Sequence, residues 1–224
     1  MKDLGITQEY LLCTLNEKGR IPSLGVEKTV CLVAAGLLEL ALEGCVSLES
    51  RGALFSKVQV CAPLPAGREY LAPLYRFLSA GKPVPLDKLA TEYCYTVTDK
   101  RWNELLGSVG GSLAALGLVQ EEKGGLLGGR QCFLPRREAV ALVVDKMRAE
   151  LMEDGPVTDE TVLLVNLLDK SGSLKTYFSK FERAELKEKL EGVLAAEEGR
   201  VMKEMVDYIA NMIAIITGVI CAST

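Results

Sequence analysis

The sequence predicts a mainly α fold, with short β-hairpins, in a single domain that spans residues 1–224. About ten segments have helical periodicity or capping residues, and no strand–helix–strand alternation that would build a parallel sheet occurs among them. Apolar residues make up 49% of the 224 residues and charged residues 25%, so the chain can bury a sizeable core.

The first third of the chain predicts two helices followed by a hairpin. Gln8–Leu15 is a short apolar helix. A longer apolar helix covers Val26–Leu42, because Gly44 behind it is a natural C-terminal cap. Cys45–Glu49 and Lys57–Cys61 alternate apolar and polar side chains, which is typical of paired strands.

The middle of the chain predicts three further helices. Glycine and proline punctuate Ala62–Gly67 and Gly81–Pro85, and one helix lies between these two segments. A second helix covers Leu86–Tyr95. A third begins at Asp99, a favourable N-cap, and ends near Leu116.

The last third is predicted to be helical throughout. Pro135 opens a long helix that ends near Met152, because proline is favoured in a first helical turn. A break around Gly155 follows. Three helices then cover Thr158–Lys170, Glu182–Glu198 and Val201–Ala222.

The segment KGGLLGGR, Lys123–Arg130, places two leucines between two glycine pairs. The flanking stretches Gly117–Glu122 and Gln131–Leu134 have strand character, and glycine pairs allow the sharp turn of a hairpin. Leu126 and Leu127 then lie at its tip. A projecting apolar tip indicates an apolar receptor, such as a membrane or another subunit. The alternative is that the tip folds back onto the domain or leaves both leucines exposed.

Composition argues against catalysis and metal binding. The chain has no histidine, the commonest general base and metal ligand. Its seven cysteines are scattered without a CxxC pair, so we expect small core residues in a reducing compartment. No nucleotide-binding, hydrolase or metalloprotease motif occurs. We therefore expect no enzyme activity, no catalytic residue, no cofactor and no metal.

Neither end of the chain predicts export or membrane insertion. Met1–Thr7 is polar, and Tyr10–Leu15 is too short for a signal peptide. The longest uncharged apolar run, Met212–Ala222, is shorter than the about 20 residues that a spanning helix needs. The prediction is a cytoplasmic protein.

Glu39 and Glu43 are one helical turn apart on an otherwise apolar helix. Two carboxylates can perform acid–base chemistry when they line a pocket. We favour the simpler interpretation that Glu39 is buried and paired with a cation or a backbone amide, while Glu43 lies on the surface.

Basic residues accompany two apolar features. Arg101 and Trp102 lie at a helix start, where they could hold a phosphate, although the preferred interpretation of Trp102 is a large core residue. Lys123 and Arg130 flank the leucine tip and suit an anionic membrane surface, whereas two neighbouring acidic residues oppose that contact.

Nucleic-acid binding is an alternative because two units, Leu37–Glu49 and Leu113–Glu122, share the order helix, glycine, apolar strand, acid. A helix that leads into a hairpin is typical of winged-helix proteins. However, Trp102–Leu116 contains Glu104 and no lysine or arginine, and the net charge is −4. We therefore expect no nucleic-acid partner.

Three segments and the end of the chain carry a family resemblance. LGITQEYLLCTLNEKGR at Leu4–Arg20, LVAAGLLELALEGCVSLES at Leu32–Ser50 and SLAALGLVQEEKGGLLGGR at Ser112–Arg130 occur in this order, and an apolar helix ending in VICAST closes the chain. Together they resemble the Golgi phosphoprotein 3 family. The resemblance implies a central helical bundle wrapped by amphipathic helices, with one projecting hairpin at about Gln120–Cys132 that takes part in oligomerisation and membrane contact.

Eukaryotic members of that family bind phosphatidylinositol 4-phosphate on Golgi membranes and act as adaptors that retain glycosyltransferases. Their lipid pocket uses a tryptophan and arginines, none of which this chain matches. By ungapped comparison the equivalent places in this chain lie near Leu24, Val33, Asn103 and Leu106. Arg101 and Trp102 lie close to one of these places and are candidate substitutes for the lipid-binding residues. The differences imply a divergent, prokaryotic member.

Three functional hypotheses follow. The leading one is a peripheral membrane or adaptor protein that contacts anionic lipid through the apolar hairpin and nearby basic residues. The main alternative is a structural homo-oligomer whose hairpin is buried between subunits. The third is a winged-helix-like nucleic-acid binder.

Overall fold

The computed structural model describes residues 4–22, 26–50, 56–94, 99–124, 130–153, 155–196 and 199–222. Within these ranges the protein is mainly α with short antiparallel hairpins, which confirms the predicted fold class. No helix in the described ranges is long and apolar enough to cross a bilayer.

The helices in these ranges begin and end close to their predicted bounds. Two single turns of 3-10 helix, Glu69–Leu71 and Leu174–Thr176, accompany them. The α-helices are α1 (Ile6–Thr14), α2 (Val26–Leu42), α3 (Ala72–Leu78), α4 (Leu86–Cys94), α5 (Lys100–Ala115), α6 (Arg137–Met152), α7 (Asp159–Lys170), α8 (Lys180–Ala195) and α9 (Arg200–Ala222).

The first sheet has three short antiparallel strands in the order β1–β2–β3. The predicted hairpin is formed by β1 (Val46–Ser50) and β2 (Ser56–Val60). The third strand, β3 (Val84–Pro85), pairs with the other side of β2. The sequence did not predict β3 because two residues are too few to show strand alternation.

The second sheet is the predicted central hairpin, formed by β4 (Val119–Gly124) and β5 (Arg130–Pro135). Its register places Val119 opposite Pro135 and Gly124 opposite Arg130. Strand β4 begins and ends two residues later than predicted, and β5 is one residue longer at each end. The leucine tip, Leu126 and Leu127, lies outside the described residues.

Pro135 does not open α6 as predicted. It is the last residue of β5, and α6 begins two residues later at Arg137. The reason is that the two strands remain paired down to the base of the hairpin. Proline is tolerated at the end of a strand, because the N–H that it lacks is not needed for a hydrogen bond between the strands there.

The core lies where α1, α2 and α7 contact one another. Every residue of α1 is buried, and α2 is buried continuously from Val30 to Leu40. Helix α9 packs on α2 and α7, and α6 and α8 cover the outside. Most described cysteines are buried as predicted, whereas Cys61 is exposed. This bundle fixes the position of the second hairpin.

Candidate functional site

The β4–β5 hairpin is attached to the body at its base. The Phe133 N–H donates a hydrogen bond of 2.8 Å to the Gly19 carbonyl in the α1–α2 connection. The Arg136 N–H donates one of 3.0 Å to the Leu118 carbonyl and closes the hairpin behind the last strand pair. The base therefore has a fixed orientation relative to the bundle.

Two glycines make this attachment possible. Gly19 adopts φ +66° and lies against the backbone of Phe133, so a side chain there would meet both strain and a clash. Gly110 in α5 lies under the Phe133 ring, which is fully buried, and a Cβ at this position would overlap the ring. The hairpin strand can approach α5 this closely only because Gly110 has no side chain.

A cavity of about 520 Å³ opens beside this attachment, between α5, β5 and the α1–α2 connection. We call it the hairpin-base pocket. Its lining includes Arg20, Trp102, Asn103, Leu106, Gln131 and Phe133.

Arg20 is the cation of the hairpin-base pocket, and sequence analysis missed it. Its Nε lies 3.1 Å from Cys132 Sγ on β5, and its guanidinium lies against Gly124 on β4. Among the described residues, no ion pair involves Arg20. Asp99 is the only carboxylate among the lining residues that the structure describes. Burial raises the pKa of the Tyr93 phenol, which also lines the cavity and stays neutral.

The structure does not bring Arg101 and Trp102 together. Trp102 lines the hairpin-base pocket and is half-buried, packed against the core. Arg101 instead faces a second cavity, where its Nε lies 2.8 Å from Glu92 Oε2 and its guanidinium lies 4.6 Å from the Phe77 ring centre. Consecutive residues of a helix are about 100° apart around its axis, which separates the two side chains.

The other predicted site residues belong to the hairpin. Lys123 pairs with Gln131, and Arg130 with Gly124, in the β4–β5 ladder. Their strand positions place them next to the tip segment, as predicted. The tip leucines, Leu126 and Leu127, lie outside the described residues.

The positions expected from the family pocket divide between the core and the hairpin-base pocket. Asn103 and Leu106 line the pocket. Val33 is fully buried within α2, and Leu24 lies outside the described residues. Two of the four expected places therefore line this cavity, together with Arg20 and Trp102.

The predicted carboxylate pair lies elsewhere, next to a cavity of about 540 Å³. Glu39 Oε2 accepts hydrogen bonds from the Thr7 N–H at 2.9 Å and the Thr7 hydroxyl at 2.7 Å. Its Oε1 accepts from the Tyr70 hydroxyl and lies 3.2 Å from Arg68 Nε. Glu43 is exposed and pairs with the same Arg68 at 2.7 Å. Both predictions for these carboxylates are confirmed.

A third carboxylate, Glu9, lines the same cavity and was not predicted. Burial raises the pKa of its carboxyl above the ordinary value of 4.5, and Lys146 at 3.0 Å partly offsets that effect. Glu9 and Lys146 are 137 positions apart in the chain, so no local pattern could reveal their pairing. Among the described residues, no group of three or more acidic or cysteine side chains could hold a metal ion.

Comparison with known families gives a match over most of the chain. The family model described as Golgi phosphoprotein 3 matches residues 6–212. No curated protein matches the sequence. The matched range includes α1 to α8, the first half of α9, both strands of the second hairpin and both sides of the hairpin-base pocket.

Proposed function

The chain belongs to the Golgi phosphoprotein 3 family, and from this premise we propose that it is a non-enzymatic peripheral membrane or adaptor protein of the cytoplasm. It contacts anionic lipid through the β4–β5 hairpin and the basic residues around it. The observation that carries the proposal is the rigid attachment of the hairpin beside a pocket that holds Arg20 and Trp102.

Rigid attachment supports a membrane contact because it lowers the entropy lost on binding. The segment between β4 and β5 contains Leu126 and Leu127. Burial of two leucines in lipid contributes roughly 3–6 kcal/mol. Each cation near an anionic leaflet, such as Lys123 or Arg130, adds about 1 kcal/mol. Binding by one hairpin is therefore weak and reversible, and self-association of the chain would increase it through avidity.

The hairpin-base pocket supports a headgroup contact next to the inserted tip. Arg20 supplies a guanidinium, which can donate two hydrogen bonds to one phosphate. Trp102 supplies an amphipathic ring of the kind enriched at membrane interfaces. None of the four places near Leu24, Val33, Asn103 and Leu106 has the tryptophan or arginine of the eukaryotic pocket. We therefore expect preference for anionic lipid in general rather than for phosphatidylinositol 4-phosphate.

Nucleic acid is not an expected partner. Helix α5 would be the recognition helix of a winged-helix domain, but it buries Leu105, Val109 and Leu113 and is covered by the hairpin through Gly110. This arrangement disfavours entry of α5 into a DNA groove.

The test is co-sedimentation of the full chain with neutral, phosphatidylglycerol-rich and phosphatidylinositol 4-phosphate-containing vesicles. We expect wild-type protein to bind both anionic types, and the double variant Leu126→Ser/Leu127→Ser to lose binding to all of them. The control variant Leu142→Ser/Phe181→Ser removes two apolar side chains that are 48% and 73% exposed elsewhere, and it should bind like wild type.

Light scattering on the same samples tests the structural homo-oligomer, in which the tip is buried between subunits. If the tip contacts lipid, the Leu126→Ser/Leu127→Ser variant should have the same mass as wild-type protein in the absence of vesicles. If the substitution instead halves the mass, or if wild-type protein is a stable multimer that binds no vesicle, the tip serves assembly and the membrane proposal is wrong. A monomeric wild-type protein that binds no vesicle also overturns the membrane proposal.

A further inference from the structure

A second cavity, of about 500 Å³, lies on the other side of α5 from the hairpin-base pocket. It is an open cleft lined by α3, the α3–β3 connection, α4 and the start of α5. We call it the α3–α5 pocket. The charged residues that line it are Arg76, Lys82, Lys88, Glu92, Arg101 and Glu104.

The Arg101 guanidinium is held in place within this pocket. Its Nε is 2.8 Å from Glu92 Oε2, and its carbon lies 4.6 Å from the centre of the Phe77 ring. Phe77 is itself packed edge-on against Tyr93, with ring centres 5.7 Å apart. A guanidinium fixed by an acid on one edge and an aromatic ring on its face keeps its other N–H groups directed in a defined orientation.

The charges of the α3–α5 pocket do not balance. The lining residues within the described ranges carry four cations and two carboxylates. Arg101 and Glu92 neutralise each other. Three exposed cations, Arg76, Lys82 and Lys88, then share the cavity with Glu104 alone. This local excess of two positive charges occurs in a chain whose net charge is −4.

We propose that the α3–α5 pocket binds a phosphate monoester. Such a group carries a charge of about −1.5 to −2 at neutral pH, which matches the excess of the lining residues. Lysines on two separate elements, Lys82 and Lys88, supply point charges, and Arg101 supplies directed donors. The site is separate from the hairpin and does not depend on membrane insertion of the leucine tip.

The size and walls of the cavity indicate more than inorganic phosphate. Small-molecule sites typically have volumes of about 300–1,000 Å³ and pair polar groups with an apolar wall. Phe77, Val84 and Pro85 supply an apolar wall here, beside the charged residues. The ligand class is therefore a phosphate ester with an organic group, either a soluble metabolite or the exposed phosphate of a lipid headgroup.

The experiment is an NMR titration of the full, isotope-labelled chain with inorganic phosphate and with glycerol 3-phosphate, at constant ionic strength kept with chloride. We expect saturable shifts at the amides of Gly81 and Lys82, with tighter binding of the ester. Lys82→Ala/Lys88→Ala should weaken binding about tenfold or more. Lys180→Ala/Lys203→Ala, which removes the same charge from exposed positions on α8 and α9, should bind like wild type.

Shifts that do not saturate, or equal binding by the Lys82→Ala/Lys88→Ala variant, overturn the proposal. Circular dichroism of that variant verifies that it is folded, as expected for two exposed lysines. The source of the phosphate is decided with vesicles that contain phosphatidylinositol 4-phosphate. Weaker vesicle binding by this variant identifies a headgroup, and unchanged vesicle binding with lost ester binding identifies a soluble ligand.

Failure of this site and failure of the membrane proposal are distinguishable. The Leu126→Ser/Leu127→Ser variant should titrate with glycerol 3-phosphate like wild type. If it does so while losing vesicle binding, the two sites are independent. If its shifts at Gly81 and Lys82 also disappear, the α3–α5 pocket is not a separate site.

Discussion

At the scale of single residues, the buried carboxylate of Glu39 holds the start of α1 against the bundle. Thr7, Arg68 and Tyr70 all direct donors to it. The Glu39 side chain is only 4% exposed. The Thr7 and Tyr70 donors depend on it for a partner, whereas Arg68 also pairs with Glu43. Gly5 also lies against this group, where a Cβ would overlap the carboxylate.

We predict that Glu39→Gln destabilises the protein by about 1–3 kcal/mol, because the amide nitrogen replaces an acceptor and leaves a buried donor unpaired. Glu43→Gln is the matched control, since Glu43 pairs with the same Arg68 but is 33% exposed. Glu43→Gln should lower the free energy of unfolding by less than about 1 kcal/mol. Urea denaturation measures both free energies of unfolding, and equal values would show that the Glu39 contacts do not stabilise the fold.

Sequence alone predicted the burial of Glu39, but not its partners. An acid on an apolar helix must be paired, and that requirement is visible locally. Thr7 and Tyr70 are 32 and 31 positions away, so their identity depends on the tertiary fold. Arg101 and Trp102 show the opposite error, because adjacency in sequence indicated a common site that helix geometry divides between two pockets.

At the scale of elements, helices with clear caps were predicted well. Val26–Leu42 is observed as predicted, and α7 begins after the Thr158 cap. Errors occur where pairing with another element decides the outcome, as at Pro135 and in β3. The glycines of α5 are a further example. In sequence they only weaken a helix, whereas in the structure Gly110 admits Phe133.

We predict that alanine substitution at two adjacent glycines of α5 has opposite effects on stability. Gly110→Ala should destabilise the protein by about 1–3 kcal/mol, because the new methyl group overlaps the Phe133 ring. Gly111 has open space around the same position, so Gly111→Ala should stabilise α5 by about 0.5–1 kcal/mol. Thermal or urea denaturation measures both. If Gly110→Ala is also stabilising, the hairpin does not depend on this close approach for its attachment.

At the scale of the whole molecule, overall charge and local charge have opposite signs around the proposed lipid contact. The chain carries a net charge of −4 and has a pI near 5.2. An anionic vesicle therefore repels the protein at long range, whereas in the proposed contact Arg20, Lys123 and Arg130 attract lipid at the hairpin. Added salt weakens both effects, so the direction of the salt dependence shows which one dominates.

We predict that binding to phosphatidylglycerol-rich vesicles weakens when the ionic strength rises from about 0.1 M to about 1 M, where the Debye length falls from about 10 Å to 3 Å. The loss should be about fivefold for each cation in contact with lipid, since each contributes about 1 kcal/mol. Some binding should remain at high salt, because leucine burial is not screened. Tighter binding at high salt would mean that repulsion of the whole molecule dominates and that the cations near the hairpin do not touch the headgroups.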